Sequence, residues 1–449
     1  MAKLDPALAQ WALDEARRCG ATATEVLFVS GESLEAGVRL GEIEKLKSSR
    51  ERRLGIRAFV DKSSATASTA ELEREALKAF IADTVRLARL TAPDPFSGLP
   101  DPALHPHHLT ELELTDSEHG IIDADRALDI ARRAERTALA LDPRIKNSEG
   151  AGFDSGLYQI LFANSQGFAG EYGGSSYSLG VAPIAVSDGA MQQGYWYTTS
   201  RHFEKLDEPE SVGRISAERA LQRLGARKVK TVRAPVIFEP DRAASLIRAL
   251  VGAASGPSLY KGASFLVNRL GTQVAAPNVT IIDDGTMLRG LGSKPFDGEG
   301  LLTNRKAVVE AGVLKTYLLD SYSARKLKLS PTGNAARSVG DVPTVSPTNL
   351  YLEPGRYSPE EIIASVKQGL YVTELIGFGV NSVTGDYSRG ASGVWIENGQ
   401  LAFPVQEITI AGNLKEMFMA IEMIGNDLVW RSSTVAPTIK IAEMMIAGA

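Results

Sequence analysis

The sequence predicts an α+β protein, with an N-terminal helix–antiparallel sheet–helix domain followed by a β-rich C-terminal domain. Apolar and polar side chains alternate between residues 23 and 69, and segments of helical periodicity flank this stretch on both sides. From residue 231 onward, strand-like runs are separated by turns rich in Gly and Asp. The 449 residues are 44% apolar and 23% charged, which suits a folded protein of two or three domains.

The first predicted unit, residues 1–92, opens with a helix. Asp5 is a good capping residue, Pro6 is favoured in the first helical turn, and Gly20 ends the segment. A second helix-like stretch begins near Leu72. Between the two helices, the period of two predicts an antiparallel meander of four strands, over residues 23–29, 34–40, 54–60 and 63–69.

A linker is predicted over residues 93–120, because its first sixteen residues hold five prolines, which break helices and strands alike. A middle α+β segment, residues 121–230, follows. It carries a predicted helix at 123–141, a β-rich stretch at 145–201 and a helix at 211–227. Residues 173–176 (Gly-Gly-Ser-Ser) lack the Lys and the following helix of a nucleotide-binding loop, so we expect a turn or bulge there.

The β-rich C-terminal domain is predicted over residues 231–449. A buried strand at 234–238 precedes Glu239-Pro240, which begins a helix that continues to about residue 254. Two more helices are predicted at residues 358–368 and 413–424. Turn sequences stand at residues 283–285, 297–300, 310–312 and 397–399, and the last two of them place Gly where a tight hairpin needs a positive φ.

Charge and composition argue against several classes of protein. The net charge of −5 and the pI near 5.8 give no electrostatic reason to expect nucleic-acid binding. The basic run at residues 45–53 is interrupted by Leu, Ser and Glu and is interpreted as a solvated strand face. A single cysteine, no apolar run long enough to cross a bilayer and no signal-peptide core predict a cytoplasmic protein without a membrane segment.

Several ordered blocks in the C-terminal half resemble one known family. They stand at residues 256–265 (GPSLYKGASF), 284–286 (DGT), 296–300 (FDGEG), 332–337 (TGNAAR), 379–393 (GVNSVTGDYSRGASG), 407–413 (EITIAGN) and 425–428 (GNDL). Together they resemble the TldD/PmbA family, and its PmbA branch, also called TldE, in particular. The resemblance spans nearly the whole chain and is strongest from about residue 234 onward.

The resemblance implies a zinc metallopeptidase system. In the TldD branch, two His of a helical His-Glu-x-x-x-His motif and a Cys near the C-terminus hold zinc, with the Glu as general base. The PmbA branch pairs with TldD to degrade unfolded or small peptides and to trim modified peptide precursors. At the corresponding positions this chain has Ile247, Arg248 and Gly252, and residues 427–437 contain no Cys. We therefore expect no cofactor in this chain, and zinc only in a TldD-like partner.

A subunit of this kind could still hold a peptide as an added strand, because main-chain hydrogen bonds do not depend on the peptide sequence. Residues 379–393 could line such a groove or a subunit contact, or could form a sheet loop that needs small residues; residues 332–334 could likewise form only a tight turn. The candidate peptide- or partner-binding residues are Ser258, Tyr260, Thr332, Asn334, Arg337, Asp386 and Arg389.

Two other interpretations stay open. An enzyme of a different kind could use Asp283, Asp284, Asp386 and Ser388, although the few histidines offer no pairing of a base with a nucleophile. A regulatory protein-binding module is the second, since older descriptions of the family call its members modulators of DNA gyrase. A homodimeric peptide-binding protein is a variant of that possibility.

Overall fold

The computed structural model describes residues 4–448, and its mixed helices and sheets confirm the α+β class. The N-terminal half contains four α-helices, seven strands and two short 3₁₀ helices among the described residues. The helices are α1 (Pro6–Arg18), α2 (Arg74–Leu90), α3 (Ala124–Ala140) and α4 (Pro209–Gln222). The strands are β1 (Ala23–Arg39), β2 (Glu42–Val60), β3 (Ser63–Thr69), β4 (Ile145–Asn164), β5 (Ala169–Ser187), β6 (Ala190–Gln193) and β7 (Trp196–Ser200), and the 3₁₀ helices are Pro102–Leu104 and Phe203–Lys205.

The predicted helix–sheet–helix start is confirmed. The Asp5 carboxylate accepts a hydrogen bond from the Ala7 N–H at 2.9 Å, Pro6 opens α1, and Gly20 follows its end with φ of 94°. The number of strands was wrong, because the first two predicted runs are one strand, β1. Gly31 lies inside β1 and pairs with both β2 and β4, so the strand continues through this glycine without a turn.

One antiparallel sheet joins the first predicted unit to the middle segment. Its strand order is β3-β2-β1-β4-β5-β6, with β7 also on β5. The predicted turn or bulge at residues 173–176 was wrong, since Gly173 and Gly174 lie inside β5 without a register shift, opposite Gln159 and Tyr158 respectively. They are small for a steric reason: a Cβ on Gly174 would lie 2.5 Å from the Tyr158 hydroxyl, and one on Gly173 would lie 2.9 Å from the Tyr158 carbonyl oxygen.

The C-terminal half is β-rich, as predicted. Its helices are α5 (Pro240–Ala253), α6 (Gly256–Tyr260), α7 (Ser321–Leu327), α8 (Pro359–Ala364) and α9 (Leu414–Met419). Its strands are β8 (Val232–Phe238), β9 (Ile281–Asp284), β10 (Arg305–Glu310), β11 (Val313–Leu314), β12 (Ala335–Ala336), β13 (Thr344–Val345), β14 (Asn349–Leu352), β15 (Gln368–Ile376), β16 (Asp386–Glu397), β17 (Gln400–Asn413), β18 (Ile421–Ile424), β19 (Thr434–Val435) and β20 (Ile439–Ala447).

The larger C-terminal sheet closes on itself. Its order is β17-β16-β15-β8-β20-β18, and β17 also pairs with β20, which brings the first and fifth strands together. A second sheet has the order β11-β10-β9-β14-β19, and β12 pairs with β13. Helix α5 packs against β14 and β19 of one C-terminal sheet and against β8 and β15 of the other, and it buries Leu246, Ile247 and Leu250 in the main C-terminal core. That packing fixes which face of α5 points outward.

Several predicted boundaries in this half need correction. The predicted helix at 358–368 ends at Ala364, because residues from Gln368 onward join the sheet as β15. The predicted helix at 413–424 ends at Met419, and Ile421–Ile424 is strand β18 paired with β20. The hairpin turns before Gly312 and Gly399 are confirmed by positive φ angles at both central residues of each.

The two halves are joined by arginine side chains that donate to backbone carbonyls. Arg201 donates to the carbonyl oxygens of Gly290 and Leu291 at 2.9 and 2.8 Å. Arg325 donates to three carbonyl oxygens of the connecting segment, those of Phe96, Gly98 and Leu99. Each guanidinium spans several acceptors in one plane, so it fixes the relative orientation of the halves. Within the described residues, no helix is long and apolar enough to span a membrane.

Candidate functional site

Helix α5 carries the positions where the resemblance places a zinc-binding motif. Pro240 opens the helix, and the segment ends before Gly256 and Pro257 start α6. Ile247 is fully buried in the core, whereas Arg248 and Gly252 are on the exposed face. Around Gly252 no atom lies within 4 Å of the position a Cβ would take, so the outer face of the helix is open there.

These residues do not fit a zinc ion. A hydrocarbon, a guanidinium and a glycine supply neither an electron-pair donor nor a general base at neutral pH. Near the C-terminus, Ser432 and Thr434 line the same cavity as Arg248, and their neutral hydroxyls are poor substitutes for a thiolate. Residues 4–448 also contain no cluster of three or more His, Cys, Asp or Glu side chains that could hold a metal ion.

A cavity of about 510 Å³ nevertheless lies against this face of α5. It lies between the N-terminal sheet domain and the C-terminal domain. One wall is the aromatic run Tyr195–Tyr197 at the start of β7, and another is formed by α4 and α5. The third wall includes Thr373, Glu374 and Leu375 of β15. The size is within the usual range for small-molecule and peptide-side-chain pockets.

The β15 wall is an open strand edge. Strand β8 runs parallel to β15 and pairs only with residues 370–372 of β15. Just after β8 ends, the Glu239 N–H donates to the Val372 carbonyl at 3.2 Å. Beyond that point β15 continues to Ile376 and pairs with β16 on its other side alone, among the strands described. Residues 373–376 therefore present a backbone edge to the cavity, and such an edge can take an added strand.

Arginines dominate the charge of the cavity. Arg219 binds the buried Glu239 carboxylate at 2.6 Å, and Arg242 reaches the same carboxylate at 3.3 Å. From α4, Arg223 binds Glu374 at 2.6 Å and so ties that helix to the open strand. Partial burial raises the pKa values of the Tyr195 and Tyr197 hydroxyls, while 55% of the Tyr195 surface stays exposed, so this wall is half-buried.

The candidate residues Ser258 and Tyr260 lie outside this cavity. The Ser258 hydroxyl donates to the Gly252 carbonyl at 3.1 Å, which helps to end α5. Tyr260 lines a second cavity of about 390 Å³ between the two halves, with Tyr322 packed edge-to-face against it at 5.8 Å between ring centres.

The candidate residues Thr332, Asn334 and Arg337 have their side chains in buried or partly buried interactions. Asn334 is fully buried; its amide donates to Asp283 at 2.8 Å and accepts from the Thr332 hydroxyl at 2.8 Å. Arg337 forms a buried ion pair with Glu25 of β1. These contacts stabilise the second C-terminal sheet and the boundary between the halves, and they leave little side-chain surface for a peptide.

Asp386 and Arg389 lie at the start of β16, after the loop 377–385. Hydrogen bonds from Thr384 and Asn413 lower the pKa of the exposed Asp386 carboxyl. The flanking glycines need their small size: a Cβ on Gly379 would lie 1.6 Å from the Ser388 carbonyl oxygen, and one on Gly393 would lie 1.9 Å from that of Tyr371. The requirement for small residues in residues 379–393 therefore holds at both ends, and Gly393 also lines the cavity.

The alternative carboxylate site does not assemble. Asp283 is fully buried and its oxygens accept from Thr348, Lys306 and Asn334, as in a structural ion pair. The Asp284 carboxylate accepts from the Thr286 N–H and hydroxyl within its own turn. Ser388 is exposed on a different strand from both. We see no nucleophile beside a base among these residues.

The aromatic wall and the open edge were missed from the sequence. The aromatic run at 195–197 predicted cross-strand pairs, and its approach to α5 depends on long-range packing that no local pattern encodes. The end of β15 was missed for the same reason, because an edge exists only where the neighbouring strand β8 stops. Three consecutive aromatics before a short strand were the one available signal.

Family models match three consecutive parts of the chain. Residues 24–88 match the PmbA/TldA metallopeptidase domain 1, residues 119–224 match the central domain, and residues 231–448 match the C-terminal domain. The chain is 39% identical over 424 residues to the metalloprotease PmbA of Escherichia coli O157:H7, covering 94% of this chain and 92% of that protein. It is 38% identical to the PmbA homologue of Haemophilus influenzae, covering 98% and 95%.

Solved structures match the whole fold. A candidate modulator of DNA gyrase from Bacteroides thetaiotaomicron superposes with a TM-score of 0.92 and 30% identity, covering 99% of this chain and 98% of that one. TldE from Thermococcus kodakarensis superposes with a TM-score of 0.88 over 98% of this chain and 100% of that one. At 22% identity, the second match concerns the fold alone.

Proposed function

Because the chain belongs to the PmbA/TldD metallopeptidase family, we propose that it is the non-catalytic subunit of a heteromeric zinc metalloprotease of the cytoplasm. A TldD-like partner supplies the zinc and the hydrolytic chemistry. This chain holds unfolded or small peptides and modified peptide precursors. The observation that carries the proposal is helix α5, where Ile247, Arg248 and Gly252 stand in place of two ligands and a base, and where Arg248 lines a formed cavity.

The peptide role is supported by the open edge of β15. An extended peptide that pairs with residues 373–376 gains main-chain hydrogen bonds whatever its sequence. Folded proteins have few unpaired backbone edges, whereas unfolded segments have many. A groove of this kind therefore favours unfolded chains without needing a sequence motif.

The partner role is supported by an apolar surface beside that edge. Phe378, in the loop after β15, is completely exposed at 101% of its reference area, and Ile376 and Val383 are 57% and 50% exposed. Exposed large apolar side chains at the end of β15 and in the loop that follows it are unfavourable in a monomer and are typical of a protein–protein contact. Continuity of this loop with the open edge would place a partner next to the bound peptide.

Association with the TldD-like paralogue tests this role. We expect an equimolar mixture of the two purified chains to elute as a single heteromeric species in size-exclusion chromatography with light scattering. Phe378→Ser should weaken that species by about tenfold or more in dissociation constant, because a central aromatic anchor commonly contributes over 1.4 kcal/mol. Leu90→Ser, at an apolar residue of α2 that is 78% exposed, is the matched control and should leave association unchanged.

Three outcomes are informative. A mixture that stays as separate chains would contradict the proposed partnership. If both substitutions weaken the heteromer equally, or if neither weakens it, the loop 377–385 is not part of the contact surface. A stable homodimer that excludes the paralogue would instead favour the homodimeric peptide-binding alternative.

A further inference from the structure

The cavity beside α5 holds one cation without a counter-charge. Arg219 and Arg242 share Glu239, and Arg223 is paired with Glu374. Arg248, which is exposed and lines the cavity, has no carboxylate within 4.0 Å among residues 4–448. Asp241 lies on the same helix seven residues earlier, about 10 Å along its axis, which is too far for an ion pair.

Two unsatisfied polar atoms, one in the aromatic wall and one on an arginine packed against it, are also donors. The Trp196 indole Nε1 is buried and finds no acceptor in the described part of the chain, and the same is true of Arg431 Nε. Two guanidiniums lie over the Trp196 ring, that of Arg431 at 4.1 Å and that of Arg219 at 4.8 Å from its centre. Buried donors without acceptors are unfavourable unless ordered water or a ligand supplies acceptor oxygens.

These two observations point in one direction. Arg248 and Trp196 line one cavity, and Arg431 lies over the Trp196 ring. A carboxylate offers the negative charge that the Arg248 guanidinium lacks and the acceptor oxygens that the unsatisfied N–H donors lack. A cationic or neutral apolar side chain would leave the donors unsatisfied and would place positive charge near several arginines. The open edge of β15 forms another wall of the same cavity and can hold the backbone that carries such a group.

We propose that this groove selects peptides that place a carboxylate against Arg248, either an acidic side chain or a free C-terminus. The inference rests on the proposed function, because it names the class of peptide held at the open edge. Arg248 then acts as a specificity-determining residue: it anchors the carboxylate while backbone pairing with residues 373–376 sets the direction of the peptide. Arg248 stands where the resemblance places a glutamate that acts as general base, so this position has a positive charge and binds the peptide carboxylate.

Fluorescence anisotropy with the purified full chain tests the proposal. The probes are three labelled peptides of one extended sequence, with both ends blocked, that differ only in a central Glu, Gln or Lys. A fourth peptide carries the central Gln and a free C-terminal carboxylate. We expect the Glu peptide to bind about tenfold more tightly than the Gln peptide, as a charge-assisted hydrogen bond allows, and the Lys peptide to bind most weakly.

Substitutions at Arg248 should change the order of preference. Arg248→Gln should abolish the difference between the Glu and Gln peptides, and Arg248→Glu should reverse it in favour of Lys. Arg269→Glu makes the same change in net charge at another exposed arginine of the C-terminal half and should leave the preference intact. Tighter binding of the fourth peptide than of its blocked counterpart would assign the carboxylate to the peptide C-terminus.

Failure of the inference is separable from failure of the proposed function. Equal binding of the Glu, Gln and Lys peptides, with the free C-terminus also without effect, would overturn the carboxylate preference and leave a sequence-independent peptide groove. A preference that survives Arg248→Glu would overturn the assignment to Arg248. Absence of binding by any of the four peptides would contradict the peptide-holding role itself.

Discussion

Single residues decide what this groove can do. Arg248 faces the cavity, Ile247 faces the core, and Gly252 leaves the helix surface bare. None of the three can activate a water molecule, because no lone pair of suitable basicity is present. The chemistry available to these three side chains follows from residue identity alone. The polar groups around the cavity could not be predicted, since Trp196 and Arg431 meet only after the two halves pack.

At the residue scale, Glu299 gives a pH-dependent prediction. It is buried, accepts from the Ser321 N–H at 2.8 Å, and lines the second cavity between the halves. Burial, with the nearby charges of Asp297 and Asp320, raises the pKa of Glu299 to about 8. The unfolded chain loses this proton at much lower pH, so the folded state binds more protons in between and stability falls as pH rises toward 8.

Glu299→Gln keeps a neutral acceptor and removes the ionisation. We expect the difference in the free energy of unfolding, variant minus wild type, to increase by about 1 kcal/mol or more between about pH 5 and about pH 8, measured by chemical denaturation. Glu397→Gln, at an exposed glutamate, controls for the loss of a carboxylate. A difference between Glu299→Gln and wild type that stays constant with pH would contradict the raised pKa.

At the scale of elements, two glycines are expected to respond in opposite ways to substitution by alanine, one in helix α5 and one in strand β16. Gly252→Ala, where a Cβ meets nothing, should stabilise α5 by up to about 1 kcal/mol because alanine is the better helix former. Gly393→Ala would place a Cβ 1.9 Å from the Tyr371 carbonyl oxygen and should destabilise the sheet by about 1–3 kcal/mol. Denaturation midpoints of the two variants check both signs, and a shift of the same sign in each would refute this account.

Elements were predictable where the local pattern agreed with the packing. The capped helix α1 and the Asn398-Gly399 hairpin follow from residue chemistry that acts within a few positions. Residues 413–424 were predicted as one helix, yet the chain leaves α9 after Met419 so that β18 can pair with β20. Pairing with a strand far along the sequence outweighed a short helical pattern there.

At the scale of the whole molecule, function depends on how two halves meet. The predicted segments 1–92 and 121–230 share one sheet through the pairing of β1 with β4, which no local pattern could reveal. That sheet then brings the run Tyr195–Tyr197 to α5 and completes the cavity. The fold class and the family could be predicted from sequence, whereas the groove, its open edge and its arginines required the three-dimensional arrangement.

The most direct test of the central claim measures zinc content and peptide cleavage on the same preparation of this chain alone. We expect zinc far below one equivalent and no chelator-sensitive cleavage of an unfolded peptide, with cleavage appearing only when a TldD-like chain is added. Stoichiometric zinc in the lone chain, together with chelator-sensitive hydrolysis of the peptide, would contradict the account.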